Sequence, residues 1–154
     1  MKTESNCKML NEWVSCNKKG DDMRILIAED DFIGRKLLQK FLTQFGHCDI
    51  AVNGMEAVNA FLMAHKEGKP YEMICLDILM PIMDGLKVLR TIRDIERQKG
   101  ISGMGRSKVI ITTALNDRKT VSESYDSGCE AYAWKPIDLD KFREVMVKLG
   151  LIEF

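Results

Sequence analysis

The amino-acid sequence predicts an α/β fold, a doubly wound parallel sheet with helices on both faces, from three observations. Short apolar runs at residues 25–28, 73–76 and 109–111 show no alternating polar side, as strands covered on both faces do. Amphipathic helical stretches separate these runs, and strands joined by helical crossovers pair parallel through right-handed connections. The strands end on polar groups, namely Glu29-Asp30, Asp77, Thr112-Thr113 and Lys135. Parallel strands bring such ends to one edge of the sheet, where open α/β sheets bind ligands.

A chain of 154 residues is sized for one domain with a substantial core. Its 23 basic and 23 acidic residues balance, giving no electrostatic case for nucleic acid or an anionic membrane. No apolar run has the length of a membrane span, and the N-terminus lacks the apolar centre of a signal peptide. A cytoplasmic location is therefore expected. The five cysteines are odd in number, scattered and without a C-x-x-C pair, so free thiols are expected rather than a disulfide frame or a zinc site.

Residues 1–22 are polar and read as a mobile N-terminal extension, with a short docked helix as the alternative that the spacing of Met9-Leu10 and Trp13-Val14 allows. The main domain is expected over residues 23–150, with 151–154 as a tail. Arg24 to Ala28 is the first strand. Leu37, Leu38, Phe41, Leu42 and Phe45 recur at helical spacing, and Gly46 is read as the stop. His47 to Val52 is the second strand and Asn53-Gly54 the turn after it. Ala57, Val58, Phe61 and Leu62 mark the second helix, which runs out at Gly68-Lys-Pro70. Met73 to Asp77 is the third strand, stopped before Pro81.

Leu86, Val88, Leu89 and Ile92 form the apolar face of a third helix, and Arg90, Arg93, Asp94, Glu96 and Arg97 are read as its solvated side. Lys99 to Lys108 holds three glycines and two serines and reads as a loop. Lys108 to Ala114 is the fourth strand, Asp117 to Asp126 a weakly periodic fourth helix, and Ala131 to Pro136 the last strand. Asp138 is the expected N-cap of a fifth helix bearing Leu139, Phe142, Val145, Met146 and Leu149. The pattern is five strands alternating with five helices.

Three carboxylates gathered at one sheet edge repel one another and call for a cation. Hard oxygen donors suit magnesium, or manganese in its place. A carboxylate beside such an ion, with a lysine and a hydroxyl at hand, can act as nucleophile toward a phosphoryl group. With these motifs in this order, the stretch from Arg24 to Leu149, about four-fifths of the chain, resembles the receiver domain of two-component response regulators in its single-domain, CheY-like form. The resemblance implies a flavodoxin-like sheet of order 2-1-3-4-5 in one domain.

It also implies residue roles. Asp77 is the phosphoacceptor. Glu29, Asp30, Asp77 and the backbone carbonyl of Leu79 hold the metal. Thr113 and the backbone N–H of Ala114 meet the phosphoryl group, Lys135 pairs with it, and Tyr132 changes position with Thr113. Thr112 faces the other way, because strand side chains alternate. The phosphoryl donor would be a histidine kinase or phosphotransfer protein. The output would be a protein target met through the fourth helix, fifth strand and fifth helix, with homodimerisation on phosphorylation as a further form of output. The chain would be a stand-alone switch and not a turnover enzyme, since it ends soon after the fifth helix.

Two departures bear on this. Glu29 stands where aspartate is commoner, keeping the charge with a longer reach. Leu79 and Leu115, each two residues beyond a site residue, are expected at the mouth and cannot orient a water, so slow loss of the phosphoryl group is expected. Competing functions fare worse. A haloacid-dehalogenase-like phosphatase needs a second carboxylate where Leu79 stands. A flavodoxin-like electron carrier needs a phosphate-binding loop where Glu29-Asp30-Asp31 would repel it. A receiver-like protein that works without phosphorylation remains the last alternative.

Overall fold

The structure is a computed structural model describing residues 23–153. The extension at residues 1–22, read as a mobile tail or a short docked helix, lies outside the described residues. The elements alternate: β1 (Met23–Ala28), α1 (Phe32–Leu42), β2 (Gly46–Ala51), α2 (Gly54–Lys66), β3 (Met73–Leu76), α3 (Gly85–Gln98), β4 (Lys108–Thr113), α4 (Arg118–Asp126), β5 (Ala131–Trp134) and α5 (Leu139–Lys148). A single 3₁₀ turn at Gly103–Gly105 interrupts the loop before β4. The five strands are all parallel, in the order β2-β1-β3-β4-β5. This is the doubly wound, flavodoxin-like sheet that the resemblance implied.

Strand alternation builds a core on each face of this sheet. Leu26, Ala28, Ile74, Leu76, Val109 and Ile111 point to one side and pack on Phe61 and Ala64 of α2 and Val88, Leu89 and Ile92 of α3. Ile25, Ile27, Met73, Cys75 and Ile110 point to the other and pack on Leu38 and Leu42 of α1 and Phe142 and Met146 of α5. Leu151, three residues beyond α5, is buried in the second core, so packing continues past residue 150.

The five α-helices among the described residues each begin on an Asp or Asn whose side chain accepts a backbone N–H of the first turn, satisfying donors a helix start leaves open: Asp31, Asn53, Asp84, Asp117 and Asp138. Asn53-Gly54 is thus a helix start rather than a turn. Gly46 opens β2 instead of ending a helix, because a Cβ there would lie 2.0 Å from the Met23 carbonyl oxygen on the adjoining strand. Leu37 and Leu62 match the apolar spacing but are exposed.

The largest correction concerns α3. Arg90, Asp94 and Arg97 face solvent, but Arg93 and Glu96 are buried at 6% and 1% exposure. They sit three residues apart on one flank, beneath the loops that lead into β4 and β5. Arg93 donates to Glu96, to both oxygens of Glu130 and to the carbonyls of Ser107 and Gly128. Glu96 also accepts the Ser107 N–H at 2.9 Å. Helical periodicity separates polar from apolar, but it cannot say which polar flank a loop will cover.

Candidate functional site

The C-terminal ends of β1, β3, β4 and β5 form a cleft whose parts follow from strand register. Glu29 follows Ile27 on the face that β1 shares with α1 and α5, and its N–H continues the ladder to the Ala51 carbonyl at 3.0 Å. Asp77 follows Cys75 on the same face, with its N–H on the Ala28 carbonyl at 3.0 Å. Lys135 follows Ala133 of β5, with its N–H on the Thr113 carbonyl at 2.9 Å. The Lys135-Pro136 peptide bond is cis.

The three side chains meet. Lys135 Nζ donates to Glu29 Oε2 at 2.6 Å and to Asp77 Oδ2 at 3.0 Å. Glu29 is fully buried, Asp77 is 4% exposed, and Asp30 is exposed beside them. Carboxylate oxygens of Glu29, Asp30 and Asp77 all lie within 4.8 Å of one another, close enough to share one ion. Burial pushes the Glu29 carboxyl up to about 7, with the Asp77 charge acting the same way; the bonds from Lys135 and the Asp31 N–H offset part of this. Lys135 is raised by its two carboxylate partners in spite of its own burial. The chemistry fits a hard divalent cation, since every donor is oxygen and the cluster carries more negative than positive charge.

The rest of the cleft is built by turns. Asp77 Oδ1 accepts the Leu79 N–H at 3.3 Å. Gly85 lets α3 start directly against the acidic strand end, because a Cβ there would lie 2.0 Å from the Asp77 carbonyl oxygen. Ile82, in the turn between them, holds φ at +73°, a left-handed conformation that is costly for a β-branched residue. Leu79 is 57% exposed at the mouth, and Leu115 is half-buried there.

Thr113 is buried, and its Oγ1 accepts the Leu115 N–H at 3.4 Å, while Ala114 is exposed. The half-buried Tyr132 hydroxyl donates to the Leu115 carbonyl. Thr113 therefore lies with Ile111 on the α2–α3 side, and Thr112 lies with Ile110 on the side that holds Asp77 and Lys135. Thr112 thus faces away from Thr113, as alternation predicts, and the face it takes is the acidic one. Counting alternation from Cys75 and from Ile110 together would have shown it.

Comparison with known proteins places this fold in a family. The profile of the response regulator receiver domain matches residues 25–147. Histidine kinase 5 of Arabidopsis thaliana is 29% identical over 150 residues, covering 84% of this chain, which spans 16% of that kinase. Among solved structures, the chain resembles the CheX-CheY-BeF3-Mg complex of Borrelia burgdorferi, with 25% identity, coverage of 86% of this chain and 92% of that chain, and a TM-score of 0.73. It also resembles the complex of the Saccharomyces cerevisiae histidine phosphotransfer protein Ypd1 with the receiver domain of the response regulator Ssk1, with 27% identity, 84% and 89% coverage and a TM-score of 0.72.

Proposed function

The chain belongs to the response regulator receiver domain family of two-component signalling, and from that premise we propose that it is a phosphorylation-controlled switch with Asp77 as its phosphoacceptor. One observation carries the proposal: Asp77, nearly buried at the sheet edge, is paired with Lys135 inside a cluster of three carboxylates. In the proposed reaction an Asp77 carboxylate oxygen attacks the phosphorus of a phosphohistidine. The new O–P bond forms as the P–N bond breaks, and the imidazole leaves with the electron pair and takes up a proton from solvent. The donor is a histidine kinase or a phosphotransfer protein.

Glu29, Asp30, Asp77 and the Leu79 carbonyl would hold Mg2+ or Mn2+, which supplies charge neutralisation for the transferred group. Lys135 would exchange Asp77 Oδ2 for a phosphoryl oxygen. Thr113 and the Ala114 N–H would meet the other oxygens. Moving Thr113 disturbs Leu115, whose carbonyl holds the Tyr132 hydroxyl, and this links the site to β5.

The output surface in this reading is that of α4, β5 and α5. Tyr125 of α4 and Trp134 of β5 are exposed, and Trp134 lines a groove of about 410 Å³ between β5 and α5. A protein target or a second copy of the chain would bind this surface. The proposal treats residues 23–150 as a receiver acting on its own, between an extension at 1–22 and a tail at 151–154. It places the protein in the cytoplasm. No helix among the described residues is long and apolar enough to cross a membrane.

The test is intact mass after incubation with Mg2+ and acetyl phosphate. One phosphoryl adduct on the wild type and none on Asp77→Asn supports the switch. Multiple-turnover release of phosphate would favour a phosphatase instead, and the absence of any adduct would reject phosphorylation at Asp77.

A further inference from the structure

Thr112 is fully buried, and its hydroxyl has no hydrogen-bond partner. Two other buried polar atoms among the described residues share that condition, His65 Nε2 and Arg106 Nε. Arg106 is nevertheless bonded through its Nη2, whereas Thr112 has no second polar group in its side chain. A buried hydroxyl left without a partner keeps its desolvation cost. Valine would fill the same volume on the same strand without that cost, so the hydroxyl is better explained by a partner it meets in another state of the site.

Register shows where that partner is. The pairing that sets Leu76 against Ile111 brings Asp77 and Thr112 to the next rung, on one face of the sheet. Strands lie about 4.8 Å apart, so the two side chains are neighbours on that face, and a change of the Thr112 χ1 rotamer can re-aim its hydroxyl at the carboxylate. On the other side Thr112 pairs with Ala133, whose methyl group leaves room for the turn. Lys135 lies beyond β5 and bonds Asp77 beyond β3, so its bond spans the strand that carries Thr112.

We infer that Thr112 is a positioning residue of the acceptor site: its hydroxyl donates to the Asp77 oxygen that Lys135 gives up when the ammonium turns to the phosphoryl group. The inference rests on the reading of Asp77 as phosphoacceptor. In the unphosphorylated state Lys135 holds Asp77 Oδ2, and Thr112 stands idle behind it. After transfer the lysine is drawn to the more negative phosphoryl oxygens. The donor that replaces it keeps the acyl carboxyl group oriented.

The experiment compares wild type, Asp77→Asn, Thr112→Val and Thr112→Ser. Adduct formation with acetyl phosphate and Mg2+ is followed by intact mass, adduct lifetime by its decay after dilution, and folding by urea titration. Thr112→Val is expected to unfold at the wild-type urea concentration or higher. Its adduct lifetime should fall about tenfold, the weight of one net hydrogen bond. Thr112→Ser, which restores the hydroxyl, should return the lifetime to near the wild-type value. The acyl phosphate carbonyl stretch should move to higher frequency in Thr112→Val alone.

A wild-type lifetime in Thr112→Val would overturn the inference while leaving Asp77 as acceptor. Equal losses in Thr112→Val and Thr112→Ser would also overturn it, since packing would then be the cause. Failure of the wild type itself to form an adduct would reject the acceptor reading and this inference with it.

Discussion

Replacing Arg93 by methionine should destabilise this domain by about 3 kcal/mol, although a surface arginine on the same helix should be nearly dispensable. Methionine keeps most of the apolar stem and removes only the guanidinium. That group donates to Gly128 O at 3.0 and 2.8 Å, to Ser107 O at 2.9 Å, to Glu96 at 2.6 Å and to Glu130 at 3.0 and 2.8 Å. Its loss leaves Glu96, 1% exposed, with no cation partner and two carbonyls short of a donor. Removing one member of a buried ion pair costs about 3–5 kcal/mol. The lower end applies here, because Glu130 keeps Arg106 at 3.3 Å and Glu96 keeps the Ser107 N–H.

Arg97 is the control. Its pair with Asp94 is exposed on both sides, at 76% and 59%, and such pairs contribute about 0–1 kcal/mol. The assay is urea unfolding followed by far-ultraviolet circular dichroism at 25 °C. With an m-value of about 2 kcal/mol/M, Arg93→Met should lower the midpoint by about 1.5 M and Arg97→Met by less than about 0.5 M. Midpoints that agree for the two variants would refute the view that Arg93 ties α3 to the loops before β4 and β5.

Three other outcomes are expected. Gly85→Ala should lose about 3 kcal/mol or more in the same urea titration and impair adduct formation, because its Cβ would drive α3 off the Asp77 carbonyl; wild-type stability and adduct yield would contradict this. Leu79→Asn combined with Leu115→Glu should shorten the adduct lifetime about tenfold or more by giving the mouth groups that orient water; an unchanged lifetime in a dephosphorylation time course would sink that reading. His65 is held below its ordinary range by burial and by Lys99, against the opposing pull of Glu96. The unfolded chain therefore takes up a proton first as pH falls. The stability His65 contributes is present above about 6.5 and is lost as pH drops through that value toward the folded pKa. Between pH 7 and pH 5.5 the urea midpoint of His65→Leu should fall less than that of the wild type.

A feature of this protein is legible in its sequence to the extent that its cause is local. The apolar strands, their helical crossovers and the aspartate N-cap at Asp138 are properties of neighbouring residues, and they were legible. The same holds for the acidic strand ends, since a parallel sheet has only one edge on which to gather them. Gly46 and Gly54 are not legible in this way, because both glycines exist for a backbone atom distant in sequence, the carbonyls of Met23 and Met83. Leu37 and Leu62 fit a helical stripe but lie at its margin, where exposure depends on the width of the partner surface rather than on spacing.

The sequence alone determined the chemistry of this protein: oxygen donors, one lysine and hydroxyls at the ends of parallel strands, because residue type and strand direction suffice for that. Only the tertiary structure decided which groups touch. It set Lys135 across both Glu29 and Asp77, buried Arg93 and Glu96 beneath two loops, and put Thr112 without a partner on the face of the Asp77 carboxylate. These outcomes depend on register between strands and on the cover supplied by remote loops, and neither is encoded in the periodicity of a single segment.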